Sequence, residues 1–165
     1  MRDNCKPFIV VGVSDSVASK AALRWAADEA KRRSVRLMVI RAWEPTPIAS
    51  YAPHPQREDA AHERHAVTCE LGHTLYATFG AKLPSYLFTE VIEGVPERVL
   101  ADESAGADMV VLGSTSVPII VGRSIGPVIR SCLSRARCPV VVIGPEHIGG
   151  SRQQRAESAE PAVMV

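Results

Sequence analysis

The sequence predicts an α/β domain built on a mostly parallel β-sheet with helices on both faces. Short runs such as 8–13 and 108–113 are almost continuously apolar, which is typical of strands that are buried on both faces. These runs alternate along the chain with helix-forming segments, the arrangement that βαβ units produce. The length of 165 residues is sufficient for one domain with a sizeable core.

The first half of the chain supplies two strands and two helices. Residues 8–13 form the first predicted strand, and residues 14–16 form a turn that caps a helix over 18–33, which is rich in good helix formers. The apolar run 35–43 is the second predicted strand. A proline-rich loop over 44–55 leads to a helix over 56–79, whose apolar face carries Ala60, Val67, Leu71, Leu75 and Phe79.

The second half supplies three strands and two helices. A weaker strand over 83–92 ends before Gly94, and Pro96 suits the first turn of a helix that runs to about residue 105. A strand over 108–113 and a loop to about residue 125 follow. The next helix opens at Gly126-Pro127 and carries an apolar stripe of Ile129, Cys132, Leu133 and Ala136. Residues 139–143 form the fifth strand, which closes a domain over 1–145, and the polar tail 146–165 is predicted to be disordered.

Composition argues against several functional classes. The formal net charge is +1, so no nucleic-acid-binding surface is expected. No apolar run approaches the ~20 residues that a membrane-spanning helix requires. The first residues lack the apolar stretch of a signal peptide. We therefore expect a cytoplasmic protein that binds neither nucleic acid nor membranes.

The sequence shows no motif for catalysis or metal binding. No nucleophile–base pair and no paired carboxylates stand at a recognisable spacing, so we expect no enzyme and assign no catalytic residue. The four cysteines have no C-x2-C spacing and are expected to be reduced thiols. Three histidines lie among charged residues of the 56–79 helix, and we interpret them as a solvated helix face rather than a metal site: His62, His65 and His73.

A ligand site is expected beyond the carboxyl ends of the strands, where the strand order of such sheets reverses. In this sequence those ends are Val13-Ser14, Arg41-Ala42 and Leu112-Gly113.

Five segments together resemble the universal stress protein family, in particular its actinobacterial members. They cover roughly residues 7–145 and comprise 9–13, 21–26, 91–96, 109–114 and 138–142. The resemblance implies a doubly wound, five-stranded parallel sheet of order 3-2-1-4-5, with the adenine nucleotide alpha-hydrolase-like fold. It also implies a homodimer joined through the last strand, whose edge is formed by Val140, Val141, Val142 and Ile143.

The ATP-binding branch of that family carries a loop of the form G-x2-G-x9-G-[ST], whose glycines and helix N-terminus hold phosphates. Gly113 and Gly126 take the first and last glycine positions of this pattern, but Ser116 replaces the second glycine and Pro127 replaces the hydroxyl residue. The nucleoside-contacting Asp of the family is replaced by Ser14, and Asp15 follows one residue later. The residues that the resemblance implies for nucleotide contact are therefore Val13, Ser14, Ala42, Leu112, Gly113, Thr115, Ser116, Gly126, Pro127 and Val128.

Two functions fit these features. The altered loop favours a noncatalytic stress-response protein that acts as a homodimer through protein partners. The retained Gly113 and Gly126 favour the alternative, a sensor that binds ATP or a related adenine nucleotide and switches partner binding. The apolar segment 117–121 is interpreted either as a cover over an empty pocket or as a partner-binding patch.

Overall fold

The fold is a five-stranded parallel sheet with helices on both faces, as the sequence predicts. The computed structural model describes residues 7–45, 57–115 and 125–144. Strands and helices alternate in the order β1 (Phe8–Gly12), α1 (Val17–Arg33), β2 (Arg36–Trp43), α2 (Arg57–Phe79), β3 (Leu87–Glu93), α3 (Pro96–Glu103), β4 (Met109–Gly113), α4 (Pro127–Arg135) and β5 (Val140–Ile143). All pairings are parallel, and the strand order β3-β2-β1-β4-β5 confirms the predicted topology.

The sheet separates two apolar layers. Helices α1 and α2 pack on one face, where Ile9 and Val11 of β1 are completely buried. Helices α3 and α4 pack on the other face, where Val10 of β1 is completely buried. The central strand is therefore covered on both sides, which explains its continuous apolar sequence.

Polar residues set the ends of helix α1. The Ser16 side chain accepts a hydrogen bond from the Ser19 N–H at 3.1 Å and so caps the first turn. Ser34 ends the helix in the left-handed conformation at φ 56°, where its N–H bonds to carbonyls of the last turn. The turn at the start of α1 lies beside the carboxyl end of β1.

The predicted start of the third strand at residue 83 is wrong. The Leu87 N–H donates to the Pro84 carbonyl at 3.1 Å, which closes a turn immediately before β3. Pro84 has no N–H to give to a sheet, and Leu83 is 45% exposed. The strand therefore begins at Leu87.

Three predictions from the sequence fall on residues that the structure does not describe. They concern Ser116, the apolar segment 117–121 and the tail 146–165. Within the described residues, no helix has the length and apolar character needed to cross a membrane.

Candidate functional site

A cavity of about 350 Å³ opens over the carboxyl ends of β1, β2 and β4. Six residues proposed from the sequence line it: Val13, Ser14, Ala42, Leu112, Gly113 and Val128. The sequence also placed Arg41, another lining residue, at a strand end, but it did not assign the remaining ones: Gly12, Ser19, Ile40, Pro96, Leu100 and Ile129. The cavity is thus bounded by the strand ends and by the first turns of α1, α3 and α4.

The polar wall of the cavity is built on the turn between β1 and α1. The Ser14 N–H donates to the buried Ser19 hydroxyl at 2.7 Å, and the Ser14 and Ser16 hydroxyls lie 3.2 Å apart. These bonds hold uncharged hydroxyls at the position where the resemblance implies a carboxylate. The turn can therefore donate and accept hydrogen bonds, but its serines carry no charge.

Arg41 at the end of β2 connects this turn to helix α2. Its Nη2 atom donates to the Asp15 carboxylate at 3.0 Å and to the Glu70 carboxylate at 3.2 Å. Its Nη1 atom donates to the Val13 carbonyl at 3.4 Å. The Asp15 carboxylate is thus held by Arg41, and its side chain is 70% exposed.

Gly113 at the end of β4 packs directly against the backbone of helix α1. A Cβ atom at this position would lie 2.4 Å from the Ala18 carbonyl carbon and oxygen and 2.6 Å from the Ser19 nitrogen. No real Cβ tolerates such distances to backbone atoms, so the fold itself requires glycine here. The retained first glycine of the motif therefore has a packing explanation that involves no ligand.

The start of helix α4 offers an anion fewer hydrogen-bond donors than the family pattern would. Gly126 is the N-cap at φ −58°, without a side-chain capping bond. Pro127 occupies the first turn and supplies neither a hydroxyl nor an N–H. Val128 follows at the cavity wall, while Thr115 is exposed after β4.

Exposed thiol and imidazole groups meet on helix α2, away from the cavity. The Cys69 sulfur lies 3.7 Å from Nε2 of His65. Among the residues with a described position, no group of three or more His, Cys, Asp or Glu side chains is arranged to hold a metal ion.

The fold and this cavity define the class of protein: a doubly wound α/β domain with a cavity over the carboxyl ends of its parallel strands. A sequence model of the universal stress protein family matches residues 8–144. The chain therefore belongs to the universal stress protein family. It is 32% identical over 143 residues to universal stress protein Rv2623 of Mycobacterium tuberculosis, an alignment that covers 84% of this chain and 48% of the relative. The chain thus spans about half the length of this mycobacterial relative.

Solved structures agree on the fold. Universal stress protein UspA from Lactobacillus plantarum superposes with a TM-score of 0.56 at 24% identity, covering 84% of this chain and 97% of that protein. A universal stress protein solved in complex with cAMP superposes with a TM-score of 0.57 at 21% identity, with the same coverage of both chains. At these identities the similarity establishes the architecture alone.

Proposed function

We propose that this chain is a noncatalytic, cytoplasmic stress-response protein that acts as a homodimer through protein partners, without tight ATP binding. The observation that carries this proposal is Pro127 in the first turn of α4, where the family pattern has a hydroxyl residue. The packing role of Gly113 adds support, because its retention needs no phosphate to explain it.

The loss of two hydrogen-bond donors at the start of helix α4 is large enough to weaken phosphate binding. A hydrogen bond to a charged group contributes about 1.5–3 kcal/mol, and about 1.4 kcal/mol changes an equilibrium constant tenfold. Pro127 removes one hydroxyl and one N–H from the helix terminus. Two such losses would weaken a micromolar triphosphate complex by roughly two orders of magnitude or more.

Thermal unfolding with and without Mg-ATP tests the proposal. A ligand present at about 100 times its Kd stabilises a protein by about 2.7 kcal/mol, which a melting curve registers readily. We expect no shift for the parent chain and no co-purified nucleotide by mass analysis. Pro127→Ser returns both the hydroxyl and the N–H, while Pro127→Ala returns only the N–H and serves as the matched control. A clear ATP shift in the parent chain would overturn the proposal.

The alternative function is an adenine-nucleotide sensor that switches partner binding. The cavity favours it, because Val13, Ala42 and Leu112 offer apolar surface beside the Ser14 hydroxyl. The relative solved with cAMP supports it by analogy of fold. The same melts with cAMP and ATP decide between the two functions: stabilisation of the parent chain by either nucleotide would put the sensor first.

The proposed homodimer uses the outer edge of β5. Val142 on this strand is 39% exposed, and Leu133 on the neighbouring helix α4 is 56% exposed. An apolar strand edge of this kind favours pairing with a second copy. We propose antiparallel pairing of Val140–Ile143 with its twin about a two-fold axis. Sedimentation should give a dimer mass at micromolar concentration and a monomer for Val142→Lys; a monomeric parent chain would contradict the pairing.

A further inference from the structure

The cavity over the strand ends is lined mainly by apolar side chains. Ala42 and Val128 line it and pack against the apolar layer of α3 and α4. Val13 contributes to the lining from the layer of α1 and α2. Four further lining residues are buried members of the layer of α3 and α4: Ile40, Leu100, Leu112 and Ile129. A ligand in the cavity would therefore bury most of its surface against hydrocarbon, which favours apolar ring systems.

The volume of the cavity sets the size of the molecule that it can hold. An apolar cavity of about 150 Å³ holds one benzene molecule. This cavity measures about 350 Å³, which is room for a fused bicyclic ring system with a small substituent. That volume lies at the lower end of the range for small-molecule sites, about 300–1,000 Å³.

The cavity has one charged side chain in its described lining, Arg41, and carboxylates already balance that charge. Arg41 donates to the Asp15 carboxylate at 3.0 Å and to the Glu70 carboxylate at 3.2 Å. The three ionised groups together carry one net negative charge at neutral pH. A ligand anion would therefore compete with two carboxylates for the guanidinium and would meet a net negative charge.

A ligand cation would find no compensating charge in the described lining either. Asp15 and Glu70 are exposed, and neither is among the residues that line the cavity. A charged group that loses its water without gaining a partner is strongly disfavoured. The described lining therefore selects against ligands of either sign.

Two serines give the cavity a polar edge that suits uncharged groups. Ser19 lines the cavity and is 3% exposed. Its Oγ atom accepts the Ser14 N–H at 2.7 Å, which leaves the hydroxyl hydrogen to be donated. Ser14 also lines the cavity, and its hydroxyl can donate or accept. An uncharged oxygen or nitrogen on a ligand ring would satisfy these hydroxyls without bringing a charge into the cavity.

We propose that the cavity binds a small uncharged ring compound with a hydroxyl, carbonyl or ring-nitrogen group, and that the pairing of Arg41 with Asp15 and Glu70 disfavours anionic analogues. The apolar lining holds the rings, and Ser14 and Ser19 orient the polar group. This inference goes beyond the proposed function, because it assigns the cavity a ligand that is not a nucleotide.

A series of naphthalene probes that differ in charge tests the ligand class on the whole chain. At pH 7, 2-naphthol is uncharged, 2-naphthoate carries one negative charge and 2-naphthyl phosphate carries about −1.5 to −2. Amide chemical shifts measured by NMR during titration give both the Kd and the place of binding. We expect saturable binding of 2-naphthol with a Kd below about 1 mM. The two anions and 2-naphthylmethylammonium should bind at least about tenfold more weakly.

Two matched variants test whether 2-naphthol occupies the cavity. Ala42→Phe fills the cavity and should weaken 2-naphthol binding at least about tenfold. Ala66→Phe makes the same change at an exposed position of α2 and should leave the Kd within about threefold of that of the parent chain. In the parent chain, 2-naphthol should shift the amide signals of Ser14, Gly113 and Val128, which line the cavity.

A double variant tests the source of the charge selectivity. Asp15→Asn combined with Glu70→Gln removes both negative charges that balance Arg41. Binding of 2-naphthoate should then strengthen at least about tenfold, because the guanidinium becomes available to the ligand carboxylate. Binding of 2-naphthol should stay within about threefold of the parent value, since this probe carries no charge.

Four outcomes would overturn the proposal. The parent chain could fail to bind 2-naphthol, it could bind 2-naphthyl phosphate as tightly as 2-naphthol, the cavity amides could remain unshifted, or the double variant could bind 2-naphthoate no better than the parent chain. If Ala42→Phe does not fold, the amide shifts of the parent chain decide where the probe binds. The Mg-ATP melts and the dimer mass are measured separately, so failure here leaves the proposed function standing.

Discussion

Replacement of Gly113 by alanine is the sharpest test of the packing argument. The new Cβ would lie 2.4 Å from the carbonyl carbon and oxygen of Ala18. These atoms belong to the first turn of α1, so relief requires the helix to move away from the carboxyl end of β4. A shift of that kind would also disturb the turn that holds Ser14 and Ser19 at the cavity wall.

The loss of stability expected for Gly113→Ala is at the upper end of the range observed for overpacked cores. Inserting one carbon into a well-packed site costs about 1–3 kcal/mol, and backbone atoms yield less easily than side-chain ends. We therefore expect Gly113→Ala to lower the free energy of unfolding by about 3 kcal/mol. For a chain of this size each kcal/mol lowers Tm by about 2–4 °C, which gives a fall of roughly 6–12 °C.

Urea and thermal unfolding followed by circular dichroism measure this cost, with two glycine controls. Among described atoms, nothing lies within 4 Å of a Cβ built at Gly72 or Gly126. Because Gly72 lies in helix α2, where glycine is less favourable than alanine, Gly72→Ala should stabilise the chain by about 0.5–1 kcal/mol. Gly126→Ala should change stability by no more than about 1 kcal/mol, the scale of an N-cap effect. A Gly113→Ala chain that unfolds within about 0.5 kcal/mol of the parent chain would refute the packing explanation.

Three further predictions follow from described contacts. Gly12→Ala should cost less than Gly113→Ala in the same urea titration, because its nearest obstacles are side-chain ends, with Leu100 Cδ1 at 2.7 Å. Arg41→Met should lower the free energy of unfolding by about 1 kcal/mol, because it removes hydrogen bonds to two exposed carboxylates and one carbonyl. This loss of stability should be smaller at high salt; an equal loss at all salt concentrations would exclude an ionic origin. Burial raises the pKa of the Cys132 thiol from 9.0 to about 11. Because the folded chain keeps the Cys132 proton over a pH range in which the unfolded chain loses it, the free energy of unfolding should fall as pH rises from 9 to about 11. This fall with pH should be less steep in Cys132→Ala.

Periodicity accounts for what the sequence could predict of the fold. The central strand β1 carries apolar residues towards both helix layers, and its three middle residues, Ile9, Val10 and Val11, are completely buried. Such a run predicts a parallel sheet without any knowledge of its partners. The start of β3 was missed because Leu83 and Pro84 extend the apolar run, while a turn hydrogen bond at Leu87 decides where pairing begins.

The sequence predicted only part of the lining of the cavity. Strand ends can be located from the sequence, so Val13, Ala42 and Leu112 were found. Ser19 reaches the cavity from the third residue of α1, which no strand-end rule includes. Arg41 was recognised as a strand end, yet its role depends on Glu70, 29 residues away. Contacts at that separation are created by tertiary packing, and no local sequence pattern reports them.

The strand order has a consequence for how the proposed dimer would meet its partners. Because β5 and β3 lie at opposite edges, pairing two copies through β5 leaves both β3 edges at the far ends of one continuous sheet. With strands about 4.8 Å apart, those ends are separated by roughly 40 Å. A partner that contacts both ends through two segments would gain avidity only if the linker between those segments spans that distance. The spacing of segments along the partner, more than the affinity of either segment, would determine which proteins it retains.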